Sequence, residues 1–398
     1  MFHPSLPIPS FPTLSLIRLL AFFCLILWLP ARAAPPWGHI DAGNGTSLAI
    51  DPAGQLWSWG KDQLKGNNAS HPVPVAKNVV MARAAKGETA LYFITKDHTL
   101  WGMGSSQYGQ LGLKASGFIL EPVMLLPHIV FIDAGHDTPF AIDEQGRLWT
   151  WGEPGPAKGK AVPSASPASA TAVLPVPAFP AALVNIADDI VYVSSAFSHT
   201  LALKKDGTLL AWGDNQNGEL GDGTLIPRQH PVKTDLSALG SRKIVKIAAR
   251  AGESFALADD GTVWNWGEGW AVPAEPGRTF PCVRPERIVS IDHVRDFTPG
   301  WGHLLFLKRD GTVWIAGTGL PLNAGRDDPE SAFVEKPFRW FPPRPLLSGA
   351  AEIASGHNHI LILKKDGTLL AMGTNSEGEL GRESGTRARH PLTVTLPR

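Results

Sequence analysis

Cysteine is nearly absent: a chain of 398 residues holds two, Cys24 and Cys282. At most one bridge could form, so a disulfide-stapled scaffold is excluded. Neither sign of charge is in surplus, since 36 Lys and Arg balance 36 Asp and Glu. With no basic excess to neutralise phosphates, a nucleic-acid partner is disfavoured. The most apolar run, residues 19–29, is too short to span a bilayer comfortably. Catalytic signatures are missing too: His-Glu-x-x-His, Gly-x-Ser-x-Gly, a phosphate loop, a dinucleotide fingerprint and Cys-x-x-Cys do not occur. No catalytic residue, cofactor or metal ligand is assigned from the sequence.

What is abundant is glycine (41), proline (35) and tryptophan (14). These residues are organised by a repeat. Clear copies are KKDGTLLAWG at 204–213, DGTVWNWG at 260–267, DGTVWIAG at 310–317 and KKDGTLLAMG at 364–373. Looser copies are DPAGQLWSWG at 51–60, KDHTLWGMG at 96–104 and DEQGRLWTWG at 143–152. They close on Gly60, Gly104, Gly152, Gly213, Gly267, Gly317 and Gly373, spaced by 44, 48, 61, 54, 50 and 56 residues. A strand-like period near 50 predicts a propeller or solenoid.

Each unit has a legible physics. An alternating apolar run such as Thr200-Leu-Ala-Leu203 precedes Asp-Gly, which is expected to form a two-residue hairpin turn with positive φ. A second alternating run follows, where Trp57 and Trp59, Trp149 and Trp151, or Trp264 and Trp266 share a face. The closing glycine permits a sharp exit or a close backbone approach. A strand before the hairpin (KIVKIA at 243–248) and a Pro-flanked strand after it (His230-Pro231) bring the content to about four strands, that of a propeller blade. One hairpin cannot bury its aromatics, but stacked neighbours can. The Pro/Ala/Ser-rich stretch at 153–180 reads as an extended insertion, and 320–347 is a second irregular stretch.

Residues 1–33 read as a signal peptide, with Arg18 ahead of the apolar run and Ala31-Arg32-Ala33 as the cleavage site. Cleavage would remove Cys24, Arg18 and Arg32, leave Cys282 as a buried or inert thiol, and give a net charge of 34 − 36 = −2. The expected location is therefore secreted or periplasmic, with no membrane attachment after cleavage.

Two phrases, DGTLLAWGDNQNGELGDGT at 206–224 and DGTLLAMGTNSEGELG at 366–381, resemble the repeat of the regulator of chromosome condensation family, as does the upstream His199-Thr-Leu-Ala-Leu203. A third copy of the glycine-flanked turn is Tyr108-Gly-Gln-Leu-Gly112. The resemblance spans residues 38–398 and implies an all-β, seven-bladed propeller, in agreement with the seven hairpins. It also implies a ring closed by N- and C-terminal strands sharing a blade, here residues 39–42 and 391–396. The family's founding member exchanges nucleotide on a small GTPase and binds chromatin. A secreted bacterial inhibitor of beta-lactamases is similar in fold and grips its target with loops at one end.

Fold does not fix function. His199, His303 and His359 occupy one position of their units, where the others carry Thr46, Ala90, Thr138 and Glu253. Their expected role is structural. The residues just before that position vary while their flanks stay alike, which marks a recognition ring on a constant scaffold. The candidate binding residues are Asn44, Glu88, His136, Asp137, Phe197, Ser198, Trp301, His357 and Asn358. They point to a monomeric, exported, non-enzymatic propeller that binds a protein, in one version inhibiting an extracellular or cell-wall enzyme. The alternatives are an enzyme or carbohydrate-binding module using the axial pocket, favoured by carboxylates clustered on the axis, and guanine-nucleotide exchange.

Overall fold

The repeated run–turn–run phrase becomes the middle two strands of a four-stranded antiparallel sheet, and there are seven such sheets. Blade 1 is His39–Ala42, Thr46–Ile50, Leu56–Gly60 and Ala69–Ala76. Blades 2 to 7 follow at residues 79–126, 129–187, 190–233, 244–287, 294–347 and 350–393. The structure is a computed structural model and describes residues 39–61, 69–87, 90–107, 109–112, 117–135, 138–152, 183–269, 281–317, 341–385 and 387–395. The expected signal peptide at 1–33 and the insertion at 153–180 lie outside them.

Within every sheet the strands keep chain order from the innermost outward. Innermost strands pack against those of both neighbouring blades and so surround an axis. Second strands such as Thr46–Ile50 and Glu253–Ala258 are wholly buried, whereas fourth strands such as Arg228–Lys233 form a polar rim. Cys282 is buried and unbridged.

The hairpin differs in one respect from the expected two-residue turn. Gly207 N–H donates to Lys204 O at 3.0 Å and Lys204 N–H to Thr208 O at 2.8 Å, closing a three-residue loop. Only its last residue, Gly207, has positive φ (88°). Asp206 is there for its carboxylate, whose Oδ1 accepts the Thr208 N–H at 2.9 Å. The closing glycines answer a harder constraint: a Cβ on Gly267 would lie 2.2 Å from Gly252 O.

Two kinds of seam join the blades. In the first, the glycine-flanked turn of one blade clasps the next. The Glu219 side chain folds back onto its own turn, accepting the Asn217 N–H at 2.9 Å. Its carbonyl is thereby turned outward and accepts from Trp266 Nε1 at 2.8 Å and from Ser254 Oγ at 2.7 Å, both in blade 5. His199 Nε2 meets the same Ser254 hydroxyl at 2.8 Å. Blade 7 repeats the set on blade 1: Glu379 O accepts from Trp59 Nε1 (2.9 Å) and Ser47 Oγ (2.8 Å), and His359 Nε2 lies 2.9 Å from the Ser47 hydroxyl. In blade 2, Gln110 O accepts from Trp151 Nε1 at 2.8 Å. The indole that receives each clasp thus belongs to the following blade.

The clasp at the 7–1 seam corrects the expected closure. Residues 39–42 form the inner strand of blade 1, and Ala388–Thr393 is the outer strand of blade 7, so the first and last described strands share no sheet. The phase of the repeat is the reason. His390-Pro391 is the Pro-flanked fourth strand of its own unit, equivalent to His71-Pro72 of blade 1. Closure comes instead from side-chain packing of Ile40, Ala49 and Trp59 against Leu361, Leu369 and Leu380.

Candidate functional site

The axis is charged. Its cavity, of about 190 Å³, is lined by four carboxylates, Asp41, Asp133, Asp296 and Glu352, and four cations, Arg83, Lys86, Lys246 and Arg250. Clustered carboxylates were the sign expected for an enzymatic axis. Each of these, however, is engaged in tying one inner strand to the next. Asp41 accepts the Ala84 N–H at 2.9 Å and Asp133 the Ser195 N–H at 2.7 Å. Asp296 pairs with Lys246 at 2.5 Å. Glu352 accepts the Ile40 N–H at 3.3 Å and meets His39 Nδ1 at 2.7 Å. Arg83 donates to the other ring nitrogen of His39 at 2.7 Å, so His39 bridges Glu352 and Arg83. Burial raises the Asp41 carboxyl, with Arg83 opposing. Burial acts on Glu352 in the same sense, but His39 and the Ile40 N–H bring it below the ordinary range.

At one end of this cavity lie the loops between first and second strands. Backbone bonds link them around part of the mouth: Asn44 N–H to Ala85 O, Lys86 N–H to Gly135 O, Trp301 N–H to His357 O, and His357 N–H to Gly43 O, all between 3.1 and 3.4 Å. On this rail sits a second cavity of about 150 Å³, bounded by Asn44, Lys86, Phe197, Arg250, Trp301 and His357, among others. Four of the sequence candidates, Asn44, Phe197, Trp301 and His357, are thus brought together from blades 1, 4, 6 and 7. Trp301 and Phe197 are each 44% exposed. The Trp301 ring stacks on His357, with centroids 4.6 Å apart and planes 15° off parallel.

Other candidates part from this set. Ser198 serves the scaffold, its carbonyl accepting the Asp214 N–H at 2.9 Å. Asn358 is exposed, and its carbonyl takes the Thr374 N–H at 2.9 Å. Glu88, His136 and Asp137 lie outside the described residues. The three aligned histidines are wholly buried and sit at blade seams, each bonded to a serine of the next blade, with His303 Nε2 2.6 Å from Ser355 Oγ. Burial, with His357 adding to it, depresses the His359 pKa to about 3. Among the described residues no cluster of three or more His, Cys, Asp or Glu is placed to hold a metal.

Sequence reasoning missed Lys86, Arg250 and the axial charges. The axial residues occupy alternate positions of the inner strands, where Asp41, Arg83 and Asp133 align, and His39, Phe131, Tyr192, Lys246, Asp296 and Glu352 align. Stacking the seven first strands in register would have shown that column.

Comparison with known proteins agrees with this architecture. Residues 206–258 match the regulator of chromosome condensation (RCC1) repeat, and residues 190–219 and 350–379 match a second form of the same repeat. The chain is an RCC1-like propeller. The E3 ubiquitin-protein ligase HERC2 of Homo sapiens is 23% identical over 391 residues, covering 93% of this chain and 8% of that protein. The ultraviolet-B receptor UVR8 of Arabidopsis thaliana is 26% identical over 309 residues, covering 75% of this chain and 65% of that one. The chain therefore spans less than two thirds of the length of either relative. Among solved structures, Prp20p of Saccharomyces cerevisiae, described with its binding to Gsp1p and histones, superposes with a TM-score of 0.65 at 18% identity, covering 92% of this chain and 87% of that one. Human WBSCR16 gives 0.67 at 20% identity over 83% of this chain and 85% of that one.

Proposed function

We propose that this chain is an exported, non-enzymatic propeller that binds a protein partner with the mouth of its ring. One observation carries this: residues that vary between the repeats converge, from four blades, on one cavity walled by half-exposed aromatics. Exposed aromatic anchors beside a pocket are what energetically dominant contacts use. The binding of Prp20p to Gsp1p and histones, and to Kap60, gives precedent for a protein partner on this fold. Export rests on the apolar run at 19–29 with Ala31-Arg32-Ala33 after it. Inhibition of an enzyme outside the cytoplasm is one form of this function. An axial enzyme is the weaker choice, because general acid–base work needs carboxyls free to exchange protons, and these hold strands together.

A photo-crosslinking residue placed at Phe197 tests the mouth against one placed at Asp206 on the hairpin end. Adducts to the same protein from Phe197 and none from Asp206 are expected. Equal adducts, or adducts from Asp206 alone, overturn the assignment. N-terminal sequencing tests export: the mature chain should begin at Ala34, and an intact Met1 form confined to the cytoplasm contradicts it.

A further inference from the structure

Arg250 stands where the other six units carry glycine or alanine: Gly43, Ala85, Gly135, Ala196, Gly300 and Gly356. The ladders fix this alignment, since Ala249 pairs with Ser254 as Ala42 pairs with Ser47 and Ser195 with Thr200. The small residues are dictated by space. A Cβ on Gly43 would lie 2.7 Å from Ala85 O, and one on Gly356 would lie 2.5 Å from the His359 ring. Blade 5 departs from that rule to hold the bulkiest cation there.

Among the described residues that cation has no counter-charge. Arg250 is 7% exposed, and its Nε has no hydrogen-bond partner. Among the described residues it forms no ion pair, including with Glu253, its backbone partner across the turn. The other cations of the axis are matched: Lys86 lies 3.4 Å from Asp133, Lys246 pairs with Asp296, and Arg83 faces Asp41. Burial alone draws the Arg250 pKa down to about 10, so it is still charged at neutral pH. A buried guanidinium without a partner costs stability, and its fork geometry suits a carboxylate. It lines both the axial cavity and the mouth cavity, the latter together with Phe197, Trp301 and His357.

We infer that Arg250 is the receptor for a carboxylate, an aspartate or glutamate side chain that the partner inserts into the mouth between Phe197 and Trp301. This rests on the mouth being the binding face, and names what is bound there. Of the two cations on the mouth cavity, Lys86 is matched by Asp133, which leaves Arg250 to meet a single negative charge. The aromatic walls cover the aliphatic stem of an acidic side chain, and 150 Å³ gives room for one such group.

The probe is N-acetyl-L-glutamate N-methylamide, titrated into the full chain while the Arg250 Nε–H resonance and tryptophan fluorescence are followed. Both should shift. The matching glutamine derivative and inorganic phosphate should bind at least about tenfold more weakly, as expected when a charge-assisted bidentate pair is lost or mismatched. Arg250→Met should abolish the response and melt no lower than the native chain, since it removes an uncompensated buried charge. Phosphate binding as tight as the carboxylate, an equal response to glutamine, or no shift with the glutamate probe overturns the assignment. So does an Arg250→Met protein that melts several degrees lower or does not fold, which would make the arginine structural. Crosslinking from Phe197 separates this from the broader proposal: adducts retained in Arg250→Met would sink the carboxylate and keep the mouth.

Discussion

The seam between blades 7 and 1 and the seam between blades 5 and 6 do one job with different chemistry. The first is polar at its heart: Glu379 O accepts from Trp59 and Ser47, and His359 meets that serine. The second shows no clasp among the described residues. Ala316 stands where Trp59 stands in blade 1, and the space is filled by Phe255, Phe297 and Phe306. The Phe255 and Phe297 centroids lie 6.1 Å apart, and Lys246 and Asp296 tie the two inner strands. A clasp therefore needs two partners in step: a glycine-flanked turn in one blade and an indole in the next. Turns in blades 2, 4 and 7 face Trp151, Trp266 and Trp59. Where the turn is missing, the following blade offers Met103, Trp212, Ala316 or Met372, and Trp212 instead packs edge-on against Phe140 at 5.9 Å.

The largest effect should come from breaking the closing clasp. Trp59→Ala leaves a hole at the seam where the first and last blades meet with no shared strand, and should cost about 3–5 kcal/mol in urea unfolding. The comparison requires Trp314→Ala, on the half-buried hairpin face of blade 6, to cost clearly less. Equal losses would mean that the clasp adds nothing beyond buried area.

The clasp should also be the acid-sensitive seam. With the Ser47 proton committed to Glu379 O, His359 donates from Nε2 as a neutral ring. Its folded pKa of about 3 lies below the ordinary 6.5. The unfolded chain therefore takes up a proton first as pH falls. The contribution is fully present above pH 6.5 and is lost from there down towards pH 3, by up to about 1.4 kcal/mol per pH unit. Stability measured across that window should flatten in His359→Gln; an unchanged slope would clear His359 of the effect.

At the unclasped seam, Asp296→Asn removes the partner of Lys246. Both side chains are about a quarter exposed (26% and 27%), so screening limits the loss to about 1–2 kcal/mol. The measurement is a double cycle with Lys246→Met, where the pair of changes should recover part of the loss. Additive losses would show that the two charges do not act together.

How much of this was legible varies with the length of the signal. The hairpin phrase recurs with tryptophans and glycines at fixed places, and it gave the blade count and the middle strands. The closure was misjudged because the fourth strand is marked by little beyond a His-Pro pair, and the phase of the repeat decides where a ring of sheets ends. The mouth was half legible. Variation at Asn44, Phe197, Trp301 and His357 is visible in the sequence, but not that a cavity unites them. Arg250 was hidden by its neighbours. The column it breaks is a single position, and glycine and alanine there look like ordinary loop residues until the 2.7 Å approach at Gly43 explains them. Axial charges such as Glu352 and His39 are 313 residues apart, and nothing local pairs them.

The smallest effect on stability should come from the mouth, and there the smallness matters. Trp301 rests on one side against His357 and leaves 44% of its surface exposed, so Trp301→Ala forfeits one stacked pair and less buried area than Trp59→Ala or Trp266→Ala. The stack itself is worth about 0.5–1.5 kcal/mol beyond the area it buries. Trp59 and Trp266, by contrast, are wholly enclosed and each donates to a clasp carbonyl. A tryptophan that costs little to remove from the folded chain yet is held flat at the rim of a cavity is placed for an external contact. Its loss should weaken partner binding by about 2 kcal/mol or more, with Phe197→Ala following more weakly. Paired melting and affinity measurements decide the matter. If Trp301→Ala lowers the melting temperature as far as Trp266→Ala, its ring belongs to the scaffold, and the contrast between seam and mouth fails at its clearest point. If it melts like the native chain and binds like it, the mouth is not the face the partner uses.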